Sequence, residues 1–490
     1  MKKRASAYLT VYLALILGVL VSLSLALIEG VRLSTAQLEM VLASDIAGDC
    51  ALAEYHRELF RRFNILAIDS SYGNTVYGRA RLKERLEYYF SENLSVAFGD
   101  KLHGIGVYKD FLGIQLQNVT LTGLTVLSDE KGAVFREQAV EALKDDLGIT
   151  NVQEIVKWLD TVEKYQLDTR DIEAEKREID EKIASYQGKE IDVGEEEIEV
   201  LDFEDPTVTV ENRKKAGIVK LTIGEKELSG KKLNQSVLVA QRIKDGRALK
   251  GDYIVKARNA ASDIAERAAF VEYLMRYLGC FLQQSEGSAL DYELEYVIVG
   301  KDADADNLKG VLHRLLAMRE AANATYLFAD KEKSGQAETA ALAVSVVLLV
   351  PELKDAFKTA FLLGWAYGES VYDLRTLLDG GRIPLIKDKN TWHYSLTNIL
   401  EDAWDDFVNG HVEKDKGEGL DYQDYLKILL LLSREEDVTM RAMNMVEADI
   451  RQTEGNRAFR LDGCFVGFKF RAVVESDYGY RLDYTEDKHY

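Results

Sequence analysis

The sequence is poor in proline, cysteine and histidine. Only 3 of its 490 residues are proline, which argues against the Pro-rich linkers that span cell walls. Its three cysteines (Cys50, Cys280 and Cys464) are odd in number and far apart, so they form no disulfide framework, although a single Cys280–Cys464 bridge stays open. The six histidines never fall in a metal-ligand spacing such as HExxH. The composition therefore indicates neither a disulfide scaffold nor a recognisable zinc enzyme.

Basic residues are also fewer than acidic ones. The chain has 62 Lys and Arg against 83 Asp and Glu, for a net charge of -21. Such a surface repels nucleic acid and anionic lipid headgroups, so we expect no nucleic-acid partner. The acidity suits either a face held outside an anionic membrane or one that meets basic partners, and it also simply keeps a chain soluble. The length of 490 residues allows two or three domains. The 47% of hydrophobic residues is enough to form buried cores.

One long apolar run stands near the N-terminus, in "LTVYLALILGVLVSLSLALIEGVRLS". No charge occurs from Ala5 to Ile28, and as a helix this stretch is about 36 Å long, enough to cross a bilayer. Lys2, Lys3 and Arg4 precede it, so the positive-inside rule places the N-terminus in the cytoplasm. The sequence predicts a single-pass protein of the cell membrane, in contact with the lipid bilayer, with the bulk of the chain extracellular.

The alternative is a cleaved signal peptide. Ser24 and Ala26 are spaced like a processing site. However, the run is longer than the usual apolar core of a signal peptide, and apolar periodicity continues past it through Leu38, Leu42 and Ile46. These features favour a retained anchor. Within it, Ser22 and Ser24 can bond to their own helix or to another helix, and Glu29 marks the outer boundary; we take these three as interaction candidates.

Hydrophobic periodicity predicts a helix-rich α+β fold. The N-terminal transmembrane helix continues into a long amphipathic helix, and a mixed ectodomain ends in a β-hairpin, "CFVGFKFRAVVESDYGYRLDYTE". "ELEYVIVG" is predicted as a buried strand, and residues 337–350 as a buried core helix. The predicted sections are the tip and transmembrane helix (1–28), a stem helix with a first α+β section (29–150), a coiled-coil arm (151–187), an acidic linker with short strands (188–235), and a helix-rich α+β section (236–490).

The coiled-coil arm is predicted from a thin apolar seam on a charged helix. Ile172, Ile179 and Ile183 recur at seven- and four-residue spacing among Asp, Glu, Lys and Arg. We therefore expect these three isoleucines to contact a partner helix.

The most tempting chemical motif is "KDADADNLKG". Asp302, Asp304 and Asp306 alternate as in a calcium loop, but the sixth and twelfth positions are Asn307 and His313 instead of Gly and Glu. Carboxylates just ahead of a helix also cap its N-terminus, and we favour that interpretation. No phosphate-binding loop or nucleophile elbow appears, so the sequence predicts no cofactor and no enzyme.

Several stretches resemble a family of membrane proteins, of unknown function, encoded beside tight-adherence (Flp/Tad-type) pilus genes in Gram-positive bacteria. Thr10, Val11, Tyr12, Leu13, Ile28, Glu29, Gly30 and Arg32 match its membrane helix, and "AIDSSYGN", "LDYELEYVIVGKDADADNLKGVLHRLLAMREAAN", "LLDGGRIPLIK" and "GLDYQDYLKILLLL" match its ectodomain. More distantly, the chain resembles the pseudopilin-like minor subunits of these pili. It lacks their processing site, a Gly or Ala followed by an acidic residue early in the apolar run.

This resemblance implies an anchored structural or assembly subunit of a pilus or related secretion assembly, whose partners are other membrane or pilus-assembly proteins. An extracellular ligand-binding protein of the cell envelope with no pilus role is the alternative. A surface hydrolase is the third hypothesis.

Overall fold

A computed structural model of the protein describes residues 2–94, 112–143, 149–192, 198–203, 207–224, 226–252, 264–397 and 419–490. These residues form a helix-rich α+β fold, which confirms the predicted class. The α-helices are α1 (Lys2–Leu52), α2 (Arg57–Phe63), α3 (Arg79–Leu94), α4 (Asp129–Glu141), α5 (Ile149–Lys164), α6 (Ile172–Ala184), α7 (Val208–Lys214), α8 (Ile218–Ile223), α9 (Val239–Lys244), α10 (Ile264–Tyr277), α11 (Glu293–Val299), α12 (Asp304–Ala329), α13 (Lys331–Val347), α14 (Lys354–Leu378), α15 (Tyr422–Leu432) and α16 (Glu435–Gln452). The strands are β1 (Ile68–Asp69), β2 (Ile114–Val126), β3 (Glu190–Asp192), β4 (Ile198–Val200), β5 (Cys464–Ser476) and β6 (Arg481–His489).

The chain divides into two compact units that do not follow its order. Unit 1 takes Met1–Gln138, Gln241–Arg258 and Thr453–Tyr490, and unit 2 takes Ala139–Ala240 and Asn259–Gln452. This partition differs from the contiguous sections expected from the sequence, because the C-terminal strands join the sheet of the N-terminal part.

Unit 1 is built around an antiparallel sheet. Strand β5 is central, with β2 along one edge and both β1 and β6 along the other. The β5–β6 pairing confirms the predicted C-terminal hairpin and runs from Gly467 opposite His489 to Glu475 opposite Arg481. Apolar side chains of β5, α3 and one face of α1 share the core of this unit; they include Phe468, Phe470, Leu86, Phe90, Met40, Ala43 and Ala47.

Unit 2 is a helical assembly. The two long helices α12 and α14 pack against each other, α13 packs on α14, and α11 contacts α12, α15 and α16. Trp365, Phe357 and Phe361 are buried on α14. The helix predicted over 337–350 is found as α13, but its buried face carries Ala337 and Ala341 while its larger side chains are exposed.

The structure does not support the predicted coiled-coil arm. Residues 151–187 contain α5 and α6 with turns between and after them, and α6 packs on α12 and α14 inside unit 2. Ile172 and Ile183 are buried there, and Ile179 is half-buried. The seam exists, but it faces helices of the same chain, so it is not available as an arm for a partner.

Two apolar runs are helices where strands were predicted: "ELEYVIVG", and one run in the section 188–235 that was expected to hold short strands. "ELEYVIVG" forms α11, which ends at Gly300 in the left-handed conformation, and "IVKLTI" forms α8 between two glycines of positive φ. Both runs are buried on most of their sides, so no alternation or helical stripe distinguishes the two structures. Cys50, Cys280 and Cys464 are all free thiols, so the Cys280–Cys464 bridge does not form.

Candidate functional site

Helix α1 is long and apolar enough in its first half to cross a membrane. Every residue from Tyr8 to Ile28 is exposed. The hydroxyls of Ser22 and Ser24 donate to the carbonyls of Gly18 and Leu20, each over 2.8 Å. Both candidate serines thus bond within their own helix, which satisfies their polar groups without a partner.

The C-terminal end of the apolar run is marked by an ion pair. The Arg32 guanidinium lies 2.7 Å from Glu29 Oε2 and stacks over the Tyr478 ring at 3.8 Å from its centroid. Tyr478 lies in the turn between β5 and β6, so the interaction candidate Glu29 is joined through Arg32 to the C-terminal hairpin.

The same hairpin is fixed to α1 further along the helix. The Lys488 ammonium lies 2.6 Å from Asp45 Oδ1 and 2.7 Å from Asp49 Oδ1. Gly48 permits this approach, since a Cβ at that position would lie 2.7 Å from Lys488 Cγ. Strand β6 therefore holds the part of α1 that leaves the apolar run.

The three candidate aspartates do not converge on a metal site. Asp302 and Asp306 are exposed, whereas Asp304 is fully buried at the start of α12. Asp304 accepts hydrogen bonds from the Ser229 hydroxyl at 2.6 Å and from the Asp291 N–H at 2.9 Å. In the described ranges, no group of three His, Cys, Asp or Glu side chains could hold a metal ion.

Asp304 belongs to a set of buried carboxylates that fix the loop between α10 and α11. Glu293 accepts the Gly279 N–H at 2.6 Å, and Glu295 accepts the Phe281 N–H at 2.9 Å. Asp449, on α16, accepts the Ala289 N–H at 2.8 Å. Carboxylates that accept backbone N–H groups hold a loop in one conformation, so this set is suited to fixing backbone.

Burial changes the protonation of two of these groups. Burial raises the pKa of Glu295 to about 7, although the Phe281 N–H and the Tyr422 hydroxyl, 2.7 Å away, favour its charged form. Burial raises the pKa of Glu293 well above its ordinary value, and the adjacent Asp449 carboxyl raises it further. A neutral carboxyl is therefore favoured at this end of α11.

A second buried polar network fixes the connection after α14. Arg319, on α12, lies 2.9 Å from Asp373 Oδ2 and donates to the carbonyls of Pro384 and Leu385 at 2.9 and 2.8 Å. These carbonyls belong to "GGRIPLIKD", the glycine-containing stretch between the helices. Arg319 thus holds the backbone of this stretch against α12 and α14.

Lys387 extends this network from the same stretch. Its ammonium pairs with Asp373 Oδ1 at 2.5 Å and with Glu369. Burial alone would raise the pKa of Glu369, but Lys387 and the N–H of His393 outweigh it and hold the pKa at about 2.

Arg319, Lys387, Glu369 and Asp373 balance in charge, and none of the four side chains is exposed. A substrate could not reach them, so the arrangement is suited to holding structure. Sequence reasoning missed this network, because its members are 54 and 68 residues apart in the chain (373 − 319 and 387 − 319).

Comparison with known proteins gives a family but no activity. A family model described as a family of unknown function, DUF5702, matches residues 196–476, more than half of the chain. The chain belongs to the DUF5702 family. No curated protein and no solved structure matches it.

The DUF5702 match includes both buried networks. It covers the loop before α11, the stretch after α14 and the whole of β5. Helix α1, with the apolar run and the candidates Ser22, Ser24 and Glu29, lies outside the matched residues.

Proposed function

We propose that this DUF5702 protein is a single-pass membrane protein whose N-terminal helix is retained as the anchor. The N-terminus lies in the cytoplasm and the bulk of the chain is extracellular. The observation that carries this proposal is the continuity of α1. One helix runs from the exposed apolar segment into the core of unit 1, where Met40, Ala43 and Ala47 are buried.

The basic tip and the outer ion pair support the orientation. Lys2, Lys3 and Arg4 precede the apolar run, as in segments that keep a cytoplasmic N-terminus. At the other end, Arg32 is held by Glu29 and Tyr478, and aromatic and charged side chains of this kind are common at a membrane surface.

The protein acts, in this proposal, through contact with other proteins, as a structural or assembly subunit. The buried charges of unit 2 fix loops and are closed to substrates. Resemblance to membrane proteins of Flp/Tad-type pilus loci supports a role in such a pilus or a related secretion assembly. The matching stretches lie in α1, just after α2, around Glu293, around Lys387 and in α15.

The proposal is tested in a deletion strain that receives either the full chain or a chain in which residues 1–28 are replaced by a cleavable signal peptide. We expect the full chain to restore pilus assembly and the secreted chain to fail, when the two strains contain equal amounts of the ectodomain. Equal restoration by the secreted chain would contradict an anchored role. Unaltered pili in the deletion strain would contradict the pilus role, and binding of the ectodomain to peptidoglycan in that case would favour an envelope ligand-binding protein.

Orientation is tested separately with whole cells. A tag at the N-terminus is expected to survive external protease while a tag after Tyr490 is removed. Loss of the N-terminal tag would reverse the proposed topology.

A further inference from the structure

The outward face of α1 carries large apolar side chains beyond the membrane segment. Val31 is 59% exposed, Leu38 57% and Leu42 45%. The opposite face at the same height is buried in unit 1 through Met40 and Ala43. Single exposed apolar residues are ordinary on a protein surface, but a row of them on one helix face indicates an interaction surface.

This row belongs to a longer repeat. Counting alternately three and four residues reaches Val31, Thr35, Leu38 and Leu42, and the same count backwards reaches apolar or small residues in the membrane segment. A seven-residue repeat of this kind is the pattern by which two helices pair along a left-handed coiled coil. We name these positions the α1 seam: Leu17, Val21, Ser24, Ile28, Val31, Thr35, Leu38 and Leu42.

The charge pattern allows two identical helices to meet along the α1 seam. No charge lies between Ala5 and Ile28, and Glu29 is paired with Arg32 on its own helix. The next two positions of the repeat are Asp45 and Asp49, and the Lys488 of the same chain lies within 2.7 Å of both. Like charges that would otherwise repel across a pair of copies are thus compensated within each copy.

We propose that the α1 seam pairs in parallel with the α1 seam of a second copy of this chain. The pairing rests on the proposed membrane anchor and names its partner. Copies inserted in the same direction present every seam residue at the same depth, so each seam meets its own counterpart in a two-fold contact. Inside the bilayer, small residues such as Ser24 permit close approach of the two helices. Beyond the bilayer, Val31, Leu38 and Leu42 are removed from water when the helices pair.

Cysteine cross-linking in native membranes tests the pairing. The background is the full chain with Cys50→Ser; Cys280 and Cys464 are buried. Leu38→Cys and Leu42→Cys place a thiol on the seam. Gln37→Cys is the matched control, because Gln37 is also exposed on α1 but lies about 100° around the helix from Leu38.

Mild oxidation is expected to give at least about tenfold more disulfide-linked homodimer from the two seam variants than from the control. Equal cross-linking at all three positions, or none at the seam, would overturn the proposal. An adduct between a seam cysteine and a different protein would also overturn it, because the seam would then belong to another partner.

A second measurement does not depend on cysteine chemistry. Leu38→Asp combined with Leu42→Asp is expected to convert dimers to monomers in native mass spectra of the full chain in lipid nanodiscs, while Gln37→Asp leaves them intact. Dimers that persist in the double variant would contradict pairing through the seam.

Intact mass of the same samples separates the two proposals. Residues 38 and 42 would remain in the chain even after cleavage following Ala26. A shortened chain that still cross-links at residues 38 and 42 would remove the anchor and keep only the pairing of the seam residues that follow Ala26. A full-length chain without seam cross-links would remove the pairing alone.

Discussion

Lys488 lies 2.6 Å from Asp45, and this ion pair joins the last strand of the chain to its first helix. Lys488→Met is expected to loosen β6 from α1 and to lower the free energy of unfolding by about 1 kcal/mol, since Asp45 is half-exposed and such pairs are partly screened. Chemical denaturation of the full chain in detergent measures the loss, and hydrogen exchange locates it. Faster exchange confined to unit 2 would contradict this account.

The buried network around Arg319 is expected to be far more sensitive. Arg319→Met leaves Asp373 buried without one of its two cationic partners and frees the carbonyls of Pro384 and Leu385. Removing one partner of a buried pair costs about 3–5 kcal/mol. The control is Lys389→Met, because the Lys389–Glu332 pair is exposed, at 75% and 62% for the two side chains. Similar losses for the two variants would contradict a structural role for the Arg319 network.

Substitution of the buried isoleucines of α6 is expected to lower the stability of unit 2. Ile172→Ala and Ile183→Ala are each expected to destabilise unit 2 by about 2–4 kcal/mol, because both side chains are buried. Ile179→Ala is the internal control, since Ile179 is half-buried, and it should cost clearly less. If the three variants kept wild-type stability and lost a binding partner, the packed assignment of α6 would be wrong.

Stability should fall as the pH rises from 4.5 to 7. Burial raises the pKa of Glu295 to about 7, above its ordinary value of 4.5. Its contribution is therefore fully present below pH 4.5 and is lost as the pH passes about 7, by an amount on the order of 3 kcal/mol. Burial also raises the pKa of Glu320 to about 7, so this residue adds to the same window.

Glu295→Gln checks this assignment. The variant keeps an acceptor for the Phe281 N–H but cannot ionise, so the free energy of unfolding should depend less on pH between 4.5 and 7. Glu320→Gln should also reduce the slope. A slope unchanged in both variants would show that these carboxyls titrate normally.

The elements that the sequence predicted well have strong local signals. The apolar run of α1 and the β5–β6 hairpin each carry their pattern within consecutive residues. The prediction of a strand at "ELEYVIVG" was wrong because α11 is buried on almost all sides. In a short run, such burial removes the hydrophobic periodicity that separates a helix from a strand. The division into units could not be predicted, since it depends on β5 returning to pair with β2.

The contacts of the candidate site residues could not be predicted from local sequence either. A capping role was favoured for the aspartates before α12, and Asp304 does accept backbone N–H groups, but from the loop preceding α11. The seam through Ile172 was predicted to meet a partner helix, and in the structure α6 packs on α12 and α14 of the same chain. Which helix covers an apolar face is decided by tertiary contacts. The buried ion pairs also depend on tertiary contacts, since Arg319 and Lys387 meet Asp373 only in the folded chain.

The central claim is that the apolar half of α1 remains part of the working protein. Intact mass and N-terminal sequencing of the protein extracted from membranes test it most directly. We predict an N-terminus ahead of the apolar run, with Lys2, Lys3 and Arg4 still present. A mature chain that begins near Leu27 would contradict the anchor and make this DUF5702 member a secreted protein.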